Sequence, residues 1–120
     1  MSTRDEIKQA IIAHGKWKQT LRTAIQTGEC PSTPDKVKMD NNCSFGKWLY
    51  ERIDPDAKQS SFYPEVITLH ADFHKEAGKI LELAVNGNKK GAEELMTLTG
   101  VFSSLSAHLT ARMKAWGMSL

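Results

Sequence analysis

Four side chains of metal-binding type stand where this chain should be apolar or tightly turned. In "VITLHADFHKEAGKIL" (Val66 to Leu81) apolar residues recur at helical spacing, yet His70 and His74 occupy the same stripe. His14 does the same on an earlier stripe, in the series Ile7, Ile11, His14, Leu21. A buried imidazole without a partner costs about 1–3 kcal/mol, because its ring nitrogens give up water. One such histidine is ordinarily satisfied by a carbonyl or a carboxylate. Three on two helices call for a shared partner, and residues four apart on a helix lie on one side, about 6 Å apart. Two imidazoles so placed can converge on one metal ion.

Cys43, in "DNNCSFGKWLY", supplies a softer donor at or just before the first turn of a short helix. Unpaired N–H groups and partial positive charge at a helix start favour a thiolate. Zn²⁺ takes tetrahedral nitrogen and sulfur ligands, and structural sites use four protein side chains. Iron and copper accept similar ligands, but a closed, redox-inert site fits zinc best. The chemistry of a zinc hydrolase is not indicated. A metalloprotease needs Glu directly after the first His, and Ala71 stands there. Four protein ligands also leave no position for water, so no enzyme is expected.

The elements that must carry these residues read as helices. The first is expected from about Arg4 to Thr27, with Ile7, Ile11, His14, Leu21 and Ile25 on one face, a cap at Ser2 or Thr3 and a stop at Gly28. "GECPSTPDKVKMDNN" reads as loop from its prolines and turn formers. A short helix follows near Ser44 to Ile53, with Phe45, Trp48 and Leu49 as core and Gly46 allowing a close helix approach; "DPDAKQSS" breaks it. A third helix is expected from about Tyr63 to Val85, with Pro64 in its first turn and a stripe of Val66, His70, Phe73/His74, Ala77, Leu81 and Ala84. After "NGN", a fourth should begin near Lys89 and run close to the C-terminus, with Leu95, Leu98, Phe102, Leu105, Leu109 and Trp116 on its seam. Strand patterning is nearly absent. The expected fold is all-α: an antiparallel helical bundle of long and short helices, in which a short helix carries the zinc-ligand cysteine. Residues 1–120 should form a single domain.

The combination of "CSFGKWLY" and "HADFH", with a histidine about thirty residues ahead of the cysteine, resembles the chemoreceptor zinc-binding domain family. The order His…Cys-x-Phe-Gly-x-Trp-Leu…His-x3-His matches it over nearly the whole chain. That resemblance implies a small helical bundle, often a homodimer, serving as a cytoplasmic sensory module of chemoreceptors or diguanylate cyclases. It implies Zn²⁺ held by His14, Cys43, His70 and His74. It associates the module with zinc sensing and with response to oxidants such as hypochlorous acid, for which Cys43 would be the redox-sensitive residue. Asp40 resembles an acidic position of the family that interacts with the cysteine or the metal. The alternative is a purely structural zinc-stabilised helical interaction adaptor.

Composition fits this picture. With 40% hydrophobic and 25% charged residues the chain can bury a moderate core. A net charge of +2 is too small for a nucleic-acid surface. No apolar run approaches a membrane span, and the polar lead "MSTRDEIKQA", beginning at Met1, reads as a natural cytoplasmic start. Neither a methyl-accepting coiled coil nor a cyclase is present in these residues, so output is expected to pass through a partner or an attached domain. Two cysteines do not make a disulfide framework; Cys30 is expected to be an ordinary exposed thiol and His108 a flanking, partly exposed histidine. Trp17, Met96, Met113, Trp116 and Met118 are more than one bundle is expected to bury, which points to self-association.

Overall fold

Ser2 begins the first helix with a capping box: its hydroxyl accepts the Asp5 amide at 3.2 Å, and the Asp5 carboxylate accepts the Ser2 amide at 3.4 Å. The computed structural model of the chain describes residues 2–97 and 100–120. Where one helix is expected to Thr27, two are found, α1 (Thr3–Gly15) and α2 (Trp17–Thr27). The interruption falls at Lys16, directly after Gly15, whose helix preference is weak. Gly28 ends α2 in the left-handed region at φ 75°.

The segment expected to be loop contains α3 (Pro34–Lys38) and a 3-10 turn (Asp40–Asn42). Five residues are too few to show an apolar period. Thr33 accepts the Lys36 amide at 3.3 Å, and Pro34 opens the helix, so the start signal lay in the residues read as turn formers. The short helix near Ser44 is α4 (Ser44–Lys47), continued by a π turn (Trp48–Arg52). The segment expected only to break it holds α5 (Pro55–Lys58), capped by Asp54. The third expected helix is α6 (Phe62–Val85). The fourth is divided into α7 (Lys89–Leu95) and α8 (Val101–Met118), with Gly100 extended at the start of α8. Leu98, assigned by its spacing to the seam, lies outside the described residues.

The fold is all-helical and about 80% helix, with no strand among the described residues. A 24-residue helix is about 36 Å long, so α6 spans most of the 45 × 26 × 19 Å volume. It is the central element, packing against α2, α3, α7 and α8, while α1 packs on α8. The expected α6 stripe is buried throughout, from Val66 to Ala84. Gly78 lets α3 lie directly on α6: a Cβ there would sit 2.3 Å from Lys38 Cγ and 3.0 Å from the Pro34 carbonyl oxygen. Met113 and Trp116 are fully inside this core, at 1% and 0% exposure, and so are not surplus apolar surface. The large apolar side chains left outside include Ile12, Val101 and Met118.

Candidate metal centre

His14 projects from the last turn of α1, and His70 and His74 from successive turns of α6. Cys43 is the residue immediately before α4. The four side chains meet in the interior: each offers one ligand atom, and these atoms all lie within 4.8 Å of one another. The histidines are buried at 6%, 0% and 2% exposure, and the cysteine is half-buried.

Two of the imidazoles are held by backbone carbonyls. His14 Nδ1 donates to the Ala10 carbonyl at 2.8 Å, and His74 Nδ1 donates to the Val37 carbonyl at 2.9 Å. A carbonyl only accepts, so in both neutral rings the proton sits on Nδ1 and Nε2 keeps a bare lone pair. Yet these two Nε2 atoms face each other at 3.3 Å, and His70 Nε2 lies 3.0 Å from the first and 3.1 Å from the second. Cys43 Sγ is 3.3 Å from His70 Nε2 and 3.9 Å from His14 Nε2. Converging lone pairs repel unless a cation lies between them. A tetrahedral zinc with Zn–N of about 2.0–2.1 Å and Zn–S of about 2.3 Å puts its nitrogens about 3.3 Å apart and its sulfur about 3.6 Å from each. The nitrogen separations of 3.0–3.3 Å lie at or just under the first value, and the two sulfur separations of 3.3 and 3.9 Å lie on either side of the second, so the donor set fits the metal in type and comes close to it in spacing.

A scan against protein-family models matches residues 14–81 to the chemoreceptor zinc-binding domain, more than half of the chain. The chain belongs to the chemoreceptor zinc-binding domain family. No curated protein and no solved structure matches it. The matched segment begins at His14 and contains Cys43, His70 and His74, so all four side chains of the cluster fall within it.

The surroundings of the centre tune its donors. Burial pushes His14 down to about 4 and His70 down to about 2, and it lowers His74 as well, so all three rings are neutral at physiological pH. The Cys43 thiol is pushed up, again by burial first. The Gly46 amide donates to Sγ at 3.3 Å and works in the other direction. The helix start expected to favour a thiolate is therefore present but outweighed by desolvation. Only a cation's own charge would reverse that balance. Phe45 meets His14 and His70 edge-on, with ring centroids 5.8 and 5.2 Å apart, and Phe73 meets His14 at 5.4 Å. These rings form the apolar packing around the His14 and His70 imidazoles.

Asp40 and Gly46 brace the cysteine segment. A Cβ on Gly46 would lie 1.7 Å from the Asp40 carbonyl oxygen, so the close approach expected at this glycine is made by the 3-10 turn ahead of Cys43. The Asp40 carboxylate faces His70 Nδ1 at 3.9 Å, and Tyr50 donates its hydroxyl to the same Oδ2. Burial, and then Asp40, push the Tyr50 phenol up to about 12, so it remains a donor at neutral pH. Tyr50 was not among the residues singled out from the sequence. In a regular helix its position after Leu49 carries no such signal; the π turn aims it back at Asp40. His108 is exposed on α8, near Glu65 at 4.0 Å and outside the cluster. Cys30 is half-buried against the core rather than freely exposed.

Two clefts are lined in part by Cys43. One, of about 410 Å³, is lined by residues including Glu6, His14, Trp17, Cys43 and Phe45. The other, of about 340 Å³, includes Trp17, Val37, Met39, Cys43 and His74. Trp17 borders both.

Proposed function

We propose that residues 1–120 form a single cytoplasmic regulatory domain, an antiparallel bundle in its long helices, in which His14, Cys43, His70 and His74 ligate one zinc ion. The observation that carries this assignment is the convergence of three Nε2 atoms and one sulfur at near-tetrahedral spacings, with the His14 and His74 nitrogens presenting bare lone pairs. Bound zinc supplies the positive charge that holds the four donors together and favours the Cys43 thiolate. Among the described residues no helix is long and apolar enough to cross a membrane. The family is one of zinc-binding sensory domains, not of catalysts.

Cys43 is the signalling ligand in this proposal. It is the least buried of the four, and both clefts open onto it. Its thiolate attacks hypochlorous acid; sulfur loses two electrons and becomes a sulfenic acid, while the chlorine is released as chloride. The product would be a weaker donor, leaving His14, His70 and His74 to hold a bound metal. Phe45 stacks on Trp48 at 5.7 Å, and Trp48 lies 6.2 Å from Trp116 on α8, which gives displacement of the cysteine segment a packed route to the C-terminal helix. Readout then passes to a chemoreceptor or diguanylate cyclase output, with the domain working as a homodimer. The exposed apolar side chains of Ile12 on α1 and Met118 on α8 support the dimer.

Elemental analysis tests the site: about one zinc per chain is expected, falling sharply in His70→Ala and His74→Ala. Mass spectrometry after mild hypochlorous acid treatment tests the signal. Cys43 should be modified, and Trp emission should shift in wild type and Cys30→Ser but not in Cys43→Ser. Full zinc in both histidine variants would sink the ligand set. An unreactive Cys43 in a zinc-loaded, folded protein would leave a purely structural zinc bundle.

A further inference from the structure

The three imidazoles of the cluster are not held alike. His14 and His74 each have a carbonyl on Nδ1, at 2.8 and 2.9 Å. His70 is the most buried of the three, yet its Nδ1 has no hydrogen-bond partner among the described residues. The nearest anionic group is the Asp40 carboxylate, whose Oδ2 stands 3.9 Å away. That oxygen is itself gripped by the Tyr50 hydroxyl, from the π turn that follows α4. A ligating histidine ordinarily donates its second ring nitrogen to a carboxylate or carbonyl, which fixes the ring's tautomer and direction.

We propose that Tyr50 is a positioning residue for the metal centre: its hydroxyl anchors the Asp40 carboxylate beside His70 Nδ1, and so directs the His70 Nε2 lone pair at the metal. The inference rests on the ligand set proposed above. The backbone geometry supports it. Asp40 belongs to the 3-10 turn that Gly46 holds at close range, so its main chain is fixed, while its side chain is 22% exposed and in reach of water. Tyr50 supplies the side-chain anchor that the packing does not. The phenol ring is 44% exposed, so removing its hydroxyl opens no cavity in the core. The three-residue chain Tyr50–Asp40–His70 also joins the cysteine-bearing segment to α6 by a route that does not pass through the metal.

The experiment compares wild type with Tyr50→Phe, Asp40→Asn, the double variant and His70→Ala. Zinc affinity is measured by competition with a chromophoric chelator, Co²⁺-loaded protein is examined by absorption, and the metal-free proteins are melted. Tyr50→Phe should still bind one equivalent, with affinity reduced about tenfold, the lower end of the range for losing such an outer partner. Its Co²⁺ ligand-field bands should shift while the thiolate charge-transfer band persists, and its metal-free melting should match wild type. The double variant should bind no more weakly than Asp40→Asn alone, because Tyr50 acts through Asp40. Wild-type affinity and an unshifted Co²⁺ spectrum in Tyr50→Phe would overturn the inference. Losses that add fully in the double variant, or that are matched by a fall in metal-free melting, would do the same. These results leave the ligand set standing if His70→Ala has lost affinity; wild-type affinity in His70→Ala removes the ligand set and the inference with it.

Discussion

Replacing Gly46 by alanine should damage the metal centre without touching a ligand. The new Cβ would stand 1.7 Å from the Asp40 carbonyl oxygen, 2.8 Å from its carbon and 3.1 Å from Asn41 Cα, all of them backbone atoms. Ordinary contact begins at 3.4 Å, so the 3-10 turn must retreat by more than an ångström. No side-chain rotation relieves the clash. Cys43 follows that turn directly and accepts the Gly46 amide at 3.3 Å, so its sulfur moves with the turn. Metal–ligand distances tolerate shifts of only about 0.2 Å. The Cys43 bond should therefore be lost or badly strained, and zinc affinity should fall at least as far as in Cys43→Ser. Overpacking of this kind also costs about 1–3 kcal/mol of folding stability. Urea unfolding of the metal-free protein and chelator competition of the zinc form measure the two effects. A Gly46→Ala protein with the wild-type urea midpoint and wild-type zinc affinity would refute the reasoning, since the turn would then be free to move without carrying the sulfur.

Gly78→Ala should separate stability from metal binding less cleanly: its clash begins with the flexible Lys38 side chain but reaches the Pro34 carbonyl, and a loss of about 1–3 kcal/mol is expected by urea unfolding. The metal-free protein should be most stable near neutral pH. All three cluster histidines have folded-state values below the unfolded value of 6.5, so their contribution is complete above 6.5 and is lost as pH falls, by up to about 1.4 kcal/mol per pH unit for each group; for His14 the window is 6.5 to about 4. Cys43 is shifted upwards, so its contribution is present below its unfolded value of 9.0 and is lost as pH rises past it. Unfolding curves between pH 4 and 10 check both limbs, and a monotonic rise or fall across that range would contradict them. Sedimentation at micromolar concentration should show a dimer that Met118→Asp dissociates, because among the described residues Met118 is the most exposed large apolar side chain, at 83%.

The donor set was legible because histidine is costly on an apolar stripe: His14, His70 and His74 stand out against Ile7, Ile11, Val66 and Leu81 with no structure in hand. The α6 helix was legible for the complementary reason, since 24 residues give the apolar period many turns in which to repeat. Short elements were not. The α3 helix has one buried residue, Val37, and one residue cannot show a period. The break at Lys16 was hidden because the apolar series runs through Ile11 and His14 before it and Leu21 and Ile25 after it. Tyr50 escaped because a π turn shifts every following side chain relative to the α-helical register, and nothing in "WLYER" announces that turn. Met113 and Trp116 were misjudged because α8 packs between α1 and α6, which gives it two apolar sides rather than one.

The donors divide the chain unevenly. His14 and Cys43 are 29 residues apart, Cys43 and His70 are 27, and His14 and His74 bracket 60 residues. A metal joining them ties the first part of the chain into two closed loops, each restricting the unfolded chain by about 3–4 kcal/mol on the entropy scale used for cross-links. Everything after His74 lies outside the loops. No donor lies on α8, which stays docked by side-chain packing against α1 and α6. The looped segment should consequently hold its shape through small changes at the metal, while α8 registers them as a change in how tightly it is seated.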